Sequence, residues 1–125
     1  MKKTSFYLVI FLAMVLVLAP AYLATQGPQS ADVLFGAALH QEEVEGDYEA
    51  AVETYKKFLS EFPNNRPLSA RAQFRIGVCY EKLGKEEAIK AYELVLENFA
   101  DQPNLVASAR ARISALQIEE PTGLT

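Results

Sequence analysis

The chain repeats itself with a period of 37 residues, and this repeat constrains its fold more than any other feature of the sequence. A shift of 37 superposes apolar and aromatic residues, among them Tyr55 on Tyr92 and Ile76 on Ile113. Self-similarity at a period of about 20–50 residues is typical of proteins that stack copies of one small structural unit. The sequence therefore predicts a linear stack in which each unit packs on its neighbours.

Each unit has the pattern of two amphipathic helices. Between residues 48 and 62, apolar side chains recur at steps of three and four, which places them on one helical face. Gly46, Pro63 and Gly84 interrupt the helical segments, and Asp47 is placed to cap the helix that it precedes. We predict no strands, and helices at about 30–45, 48–62, 68–83, 86–99 and 104–117.

The residues of these helices resemble the tetratricopeptide repeat. The segment GDYEAAVETYKKFLSEFP carries the glycine, the aromatic residues, the small Ala51 and the closing Pro63 of that family in the expected order. The segment FRIGVCYEKLGKEEAIKAYELVLENF carries Gly77, Ala88 and Tyr92 in the matching places. The resemblance implies an all-α fold, a tetratricopeptide-like α-solenoid over residues 31–117. Its parts are two helical hairpins at about 31–65 and 68–102 and a capping helix at 104–117.

The chain also departs from the family pattern. Leu39 and Glu42 stand where the family prefers a small residue and an aromatic, and Gln73 stands where a large apolar residue is usual. The long 37-residue period, together with FLSEFP and FRIGVCYEKLGK, is similar to the bacterial envelope branch of the family. That branch includes the β-barrel-assembly lipoproteins and the repeat domain of the Tol–Pal accessory protein.

The resemblance implies a protein–protein interaction module or scaffold. In this family the first helix of each hairpin lines a concave groove, which holds an extended peptide or a helix of a partner protein. Phe74 is the expected anchor, and Arg71 is the cation beside it. The groove positions in this chain are His40, Glu43, Val44, Arg71, Phe74, Val78, Glu81, Lys82 and Ser108.

An alternative interpretation makes the chain the N-terminal accessory module of a longer exported enzyme or propeller-type protein. The polar, turn-prone segment 118–125 would then be a linker to the following domain. The genomic sequence beyond residue 125 distinguishes the two.

The N-terminal residues have the pattern of an export signal. Lys2 and Lys3 precede an unbroken apolar run over residues 6–18, and no charged residue follows these lysines before residue 25. Residues 1–25 are predicted to be a cleavable signal peptide or a retained membrane anchor, and residues 26–30 a linker. Both alternatives place the repeats in the periplasm or on the outer face of the inner membrane of a bacterium. The membrane would be contacted only through this hydrophobic leader.

Composition excludes several other classes of protein. The net charge of −4 argues against a nucleic-acid binder, which needs surplus cations. The single cysteine, Cys79, and single histidine, His40, exclude a disulfide framework and a Cys- or His-rich metal site. The sequence has no phosphate-binding loop and no nucleophile or zinc-protease motif. We therefore predict no catalytic residues, no metal and no cofactor; an envelope hydrolase that uses scattered carboxylates is the enzyme alternative. Cys79 and the repeat tyrosines are interpreted as core residues.

Overall fold

The computed structural model describes residues 2–24 and 30–119, with side chains at 2–13 and 30–118. The helical elements are α1 (Lys2–Ala24), α2 (Ala31–His40), a π-helical turn (Gln41–Glu45), α3 (Tyr48–Glu61), α4 (Arg66–Lys82), α5 (Glu87–Asn98) and α6 (Pro103–Glu119). The described residues form no strand. The prediction of an all-α fold is confirmed.

The helices from α2 onward form two hairpins and a cap. Consecutive helices pack on one another, α2 on α3, α3 on α4, α4 on α5 and α5 on α6. Contacts also join α4 to α6 across the hairpin boundary. Helices α2, α4 and α6 therefore share one side of the stack, while α3 and α5 lie on the other. This is the arrangement that the repeat predicted.

The helix boundaries follow from local chemistry. Gly46 and Gly84 adopt the left-handed backbone conformation, with φ of 67° and 65°, and end the first helices of the two hairpins. Asp47 caps α3, accepting a hydrogen bond from the Ala50 N–H at 3.0 Å, as predicted. The predicted start of α4 at residue 68 is two residues late. Asn65 is the N-cap of α4. Pro67 is tolerated because it lies in the first turn, where a backbone N–H has no hydrogen-bond partner within the helix.

Two apolar clusters hold the stack together. In the first hairpin the ring of Phe35 packs edge-on against Tyr55 and Phe58, with centroids 5.6 Å away in both cases. In the second, Tyr92 is fully buried in a cluster that Ala109 of α6 completes. Such aromatic pairs add to the free energy gained from burial alone. The interpretation of Cys79 and the repeat tyrosines as core is consistent with this packing. Cys79, Tyr55 and Tyr92 are buried, and Tyr48 and Tyr80 are half-buried.

Close approach of α4 and α5 depends on a glycine. A Cβ atom at Gly77 would lie 2.5 Å from Cε1 of Tyr92, well inside van der Waals contact. Hydrogen in place of a methyl group therefore lets the tyrosine ring lie directly on the α4 backbone.

The predicted helix over 30–45 contains an irregularity that the sequence did not reveal. Its last five residues form a π-helical turn, which has more residues per turn than an α-helix. Within this turn Glu42 is buried, while Glu43 and Glu45 are exposed.

The helices described over residues 2–24 and 30–119 include none that is long and apolar enough to cross a membrane. The predicted linker, apart from Ser30, and the predicted tail beyond residue 119 lie outside the described residues.

Candidate partner-binding face

The predicted groove residues of α4 lie along one side of that helix. Arg71, Phe74 and Val78 follow at three- and four-residue steps, which places them on neighbouring turns. Arg71 is exposed, and its guanidinium carbon lies 5.0 Å from the ring centroid of Phe35 on α2. We call the side formed by α2, the π turn, α4 and α6 the A face.

Phe74 and Val78 belong partly to the core. Both are half-buried against the second apolar cluster, and the Phe74 ring centroid is 5.2 Å from that of Tyr92. Phe74 therefore supports the fold and is also partly exposed to solvent. The expectation that it is primarily a free anchor for a partner does not follow from this geometry.

A buried carboxylate ties the first hairpin to α4. Glu42 is only 6% exposed, and it accepts hydrogen bonds from the Tyr55 hydroxyl at 2.8 Å and from Nη1 of Arg75 at 2.9 Å. Nη2 of Arg75 pairs with Glu43, also at 2.9 Å. Burial raises the pKa of Tyr55 above its ordinary value, and the hydrogen bond to Glu42 raises it further. No buried side-chain nitrogen or oxygen in this network lacks a hydrogen-bond partner.

The same arrangement recurs one repeat later. The Tyr92 hydroxyl donates to Oε2 of Glu81 at 2.7 Å, and the guanidinium of Arg112 on α6 pairs with the same carboxylate. Desolvation and then the bond to Glu81 raise the pKa of Tyr92. In each copy a tyrosine of the second helix and an arginine of the next unit's first helix meet on one glutamate. We call each such set a Tyr–Glu–Arg triad.

Arg75 and Arg112 form ion pairs with two of the predicted groove residues, whereas two predicted cations have no such partner. Glu81 is bound to Arg112, and Glu43 is bound to Arg75, which it shares with Glu42. Arg71 and Lys82 have no carboxylate within ion-pair distance in the part of the chain that the structure describes. Of the predicted set, these two are the exposed charged residues that have no ion-pair partner among the described residues.

The remaining predicted residues are not connected to this group. Nδ1 of His40 lies 3.1 Å from Oε1 of Glu45, within its own turn. Val44 is 71% exposed on the π turn, and the Ser108 hydroxyl donates to the backbone carbonyl of Asn104 at 3.0 Å. No hydrogen bond or ion pair among the described residues joins these three side chains to α4.

Sequence reasoning missed the central roles of Glu42, Arg75 and Arg112. The repeat did superpose Arg75 on Arg112 and Tyr55 on Tyr92, and this was the available signal. The glutamates are offset from each other in the repeat, being 39 positions apart, so the shift of 37 did not reveal them.

The described residues hold no group of three or more His, Cys, Asp or Glu side chains that could bind a metal ion. Burial raises the pKa of the Cys79 thiol to about 12, which disfavours the reactive thiolate.

The tetratricopeptide-repeat family model matches residues 42–103, from the π turn to the first residue of α6. The match and the helical stack together support the assignment of this chain as a tetratricopeptide-repeat protein. Repeats of this kind generally mediate binding to other proteins and are typically not catalytic. No curated protein and no solved structure matches the chain.

Proposed function

We propose that this chain is an exported scaffold of the bacterial cell envelope, which binds a segment of a partner protein on the A face. The observation that carries the proposal is the state of the charges on that face. Glu43 and Glu81 are engaged in ion pairs within the protein, whereas Arg71 and Lys82 stay exposed beside the half-buried Phe74 and Val78. A partial apolar strip flanked by unpaired cations fits a partner with a charged and an aliphatic side.

Capture of a partner from envelope extract by the full-length chain tests the binding face. Arg71→Glu reverses an exposed charge on the A face, and we expect it to abolish capture of partners that the parent chain retains. Lys57→Glu is the matched control because Lys57 is an exposed cation of α3, on the other side of the stack. Equal capture by the two variants, with unchanged melting temperatures, would contradict the proposal.

The leader supports the proposal of export. A C-terminal tag on the full chain should be accessible to protease in intact spheroplasts if the repeats lie outside the inner membrane. A decrease in mass of about 2 kDa would indicate cleavage near residues 19–21, where small residues match a cleavage site. Protection of the tag in intact spheroplasts would rule out this location.

A specific feature of α6 favours the accessory-module alternative. On α4, Ala70, Gln73 and Gly77 are covered by α5. Their equivalents one repeat later, Ala107, Arg110 and Ser114, are exposed. A helix from a following domain would cover them in a longer protein. The genomic sequence beyond residue 125 tests this directly, because an in-frame domain would support it and a stop codon would exclude it.

A further inference from the structure

A continuous groove runs along the side of the stack opposite the A face. It lies between α3 on one side and α5, with the turn that precedes it, on the other, and α4 forms its floor. Three adjoining clefts of about 280, 300 and 340 Å³ make it up. Tyr80 lines the first and second, and Leu59 and Gln73 line the second and third. With α3 as one wall, the groove is about 20 Å long.

The central cleft is apolar. Leu59 of α3 and Leu94 of α5 form its walls, and Ile76 and Tyr80 of α4 contribute to its floor. Its volume of about 300 Å³ accommodates a branched aliphatic side chain but not a large ligand. A long groove with a small apolar centre fits a peptide better than a compact small molecule.

Gln73 supplies a polar group at the floor of this groove. The residue is only 7% exposed, and its Nε2 donates to the backbone carbonyl of Ala91 at 3.0 Å. Oε1 accepts no hydrogen bond from any residue that the structure describes. Among the described residues, every fully buried side-chain oxygen has a hydrogen-bond partner. Because Oε1 of Gln73 has none, it must be accessible to solvent. Gln73 lines the central cleft, so this oxygen is accessible from there. A ligand that displaces water from the cleft must donate a hydrogen bond to this oxygen or lose affinity.

That acceptor distinguishes between two forms of peptide. A helical ligand satisfies its backbone N–H groups internally, so it has none to offer at the centre of the groove. An extended peptide has free backbone N–H groups and spans about 20 Å with six residues. Gln73 therefore favours an extended ligand.

The charges on the groove walls favour an acidic ligand. Lys56 lies on one wall, where its Nζ is 3.4 Å from Glu53 and 5.9 Å from the ring centroid of Tyr80. Lys90 lies on the other wall and has no carboxylate within ion-pair distance among the described residues. Glu53 compensates Lys56, and Glu87 also lies at this cleft, so Lys90 is the cation there that can pair with an acidic group of a ligand.

We propose that the α3–α5 groove is a second binding site, which takes an extended peptide with an aliphatic side chain next to an acidic one. The aliphatic group occupies the central cleft, a backbone N–H donates to Oε1 of Gln73, and the carboxylate pairs with Lys90. This site is separate from the A face and does not depend on the function proposed for it.

Fluorescence anisotropy with a defined probe tests the proposal. The probe is a labelled six-residue peptide of alternating leucine and glutamate with blocked ends. Two control peptides replace the glutamates by lysine or the leucines by serine. With the full-length chain in detergent, we expect only the leucine–glutamate peptide to bind, with a dissociation constant between about 10 µM and 1 mM. Its binding should weaken as salt is added.

Three variants locate the binding. Lys90→Glu should weaken binding by at least about tenfold, because it replaces an attraction by a repulsion. Lys57→Glu, an equal change of charge outside the groove, should leave binding within about twofold. Gln73→Leu should weaken it by about fivefold, because it replaces the acceptor by an apolar side chain of similar size. Thermal melts establish that each variant is folded.

Four outcomes would overturn the proposal. The first is failure of the leucine–glutamate peptide to bind, and the second is equal binding of the leucine–lysine peptide. In the third, Lys90→Glu behaves as Lys57→Glu does. In the fourth, Arg71→Glu abolishes binding while Lys90→Glu does not. That result would place the peptide on the A face, and so would support the proposed function while excluding this site.

Discussion

Glu42 is a carboxylate in the interior of the first hairpin, and its neighbours explain why it is tolerated there. The Tyr55 hydroxyl and the Arg75 guanidinium both donate to it, so its charge is compensated and its oxygens are hydrogen-bonded. Burying a carboxylate without such partners costs several kcal/mol. The family prefers an aromatic at this position, and the triad replaces that apolar contact by a polar one.

Glu42→Gln should lower the free energy of unfolding by about 1–3 kcal/mol, because it removes the buried carboxylate charge that pairs with Arg75 while retaining an acceptor for Tyr55. Glu43→Gln is the matched control. It removes an exposed partner of the same arginine and should cost less than about 1 kcal/mol. Urea denaturation of both variants measures the difference, and a larger loss for Glu43→Gln would show that the triad is wrongly assigned.

At the scale of helices, the sequence predicted most of the architecture. Glycines at the two left-handed positions and Asp47 at a cap determine helix ends locally, so they could be recognised from neighbouring residues alone. The triads could not be recognised in this way. Glu42 meets Tyr55 and Arg75, which lie 13 and 33 positions away, and a charged residue in a π turn gives no local sign of burial. The same limit applies to Phe74, whose half-burial depends on contact with Tyr92 of another helix.

Two glycine substitutions test the packing of α4 on α5. Gly77→Ala should destabilise the fold by about 1–3 kcal/mol, because the added methyl group overlaps the Tyr92 ring. Gly36→Ala, on the exposed side of α2 with no atom within 4 Å of the new methyl, should stabilise it by about 0.5–1 kcal/mol through helix propensity. In thermal melts we expect a lower melting temperature for Gly77→Ala and a higher one for Gly36→Ala. Stabilisation by Gly77→Ala would mean that the two helices do not approach as closely as described.

At the scale of the whole molecule, the two triads couple adjacent units. Arg75 joins α4 to the first hairpin, and Arg112 joins α6 to the second, so each unit is tied to the next by a shared carboxylate. Nearest-neighbour coupling of this kind makes a short repeat array unfold as one unit. Each hairpin also contains a buried tyrosine whose pKa is raised by this arrangement.

The raised pKa values of Tyr55 and Tyr92 predict how the stability of the fold depends on pH. Above pH of about 9–10 the unfolded chain loses phenolic protons that the folded chain still holds, so the folded state becomes less stable as pH rises. Tyr92→Phe removes one such group and should flatten the dependence of the unfolding free energy between pH of about 9 and 11. Urea denaturation across that range measures the slope. An unchanged slope in Tyr92→Phe would show that this hydroxyl is not buried against Glu81.

Site-specific photo-cross-linking in living cells tests the central claim, that the A face binds a partner protein, most directly. A photoreactive residue is placed at position 71 on α4 or, as the control, at position 57 on the opposite side of the stack. The predicted result is a discrete cross-linked protein adduct from position 71 that position 57 does not give. The same adducts from both positions, or none from position 71, would contradict the account.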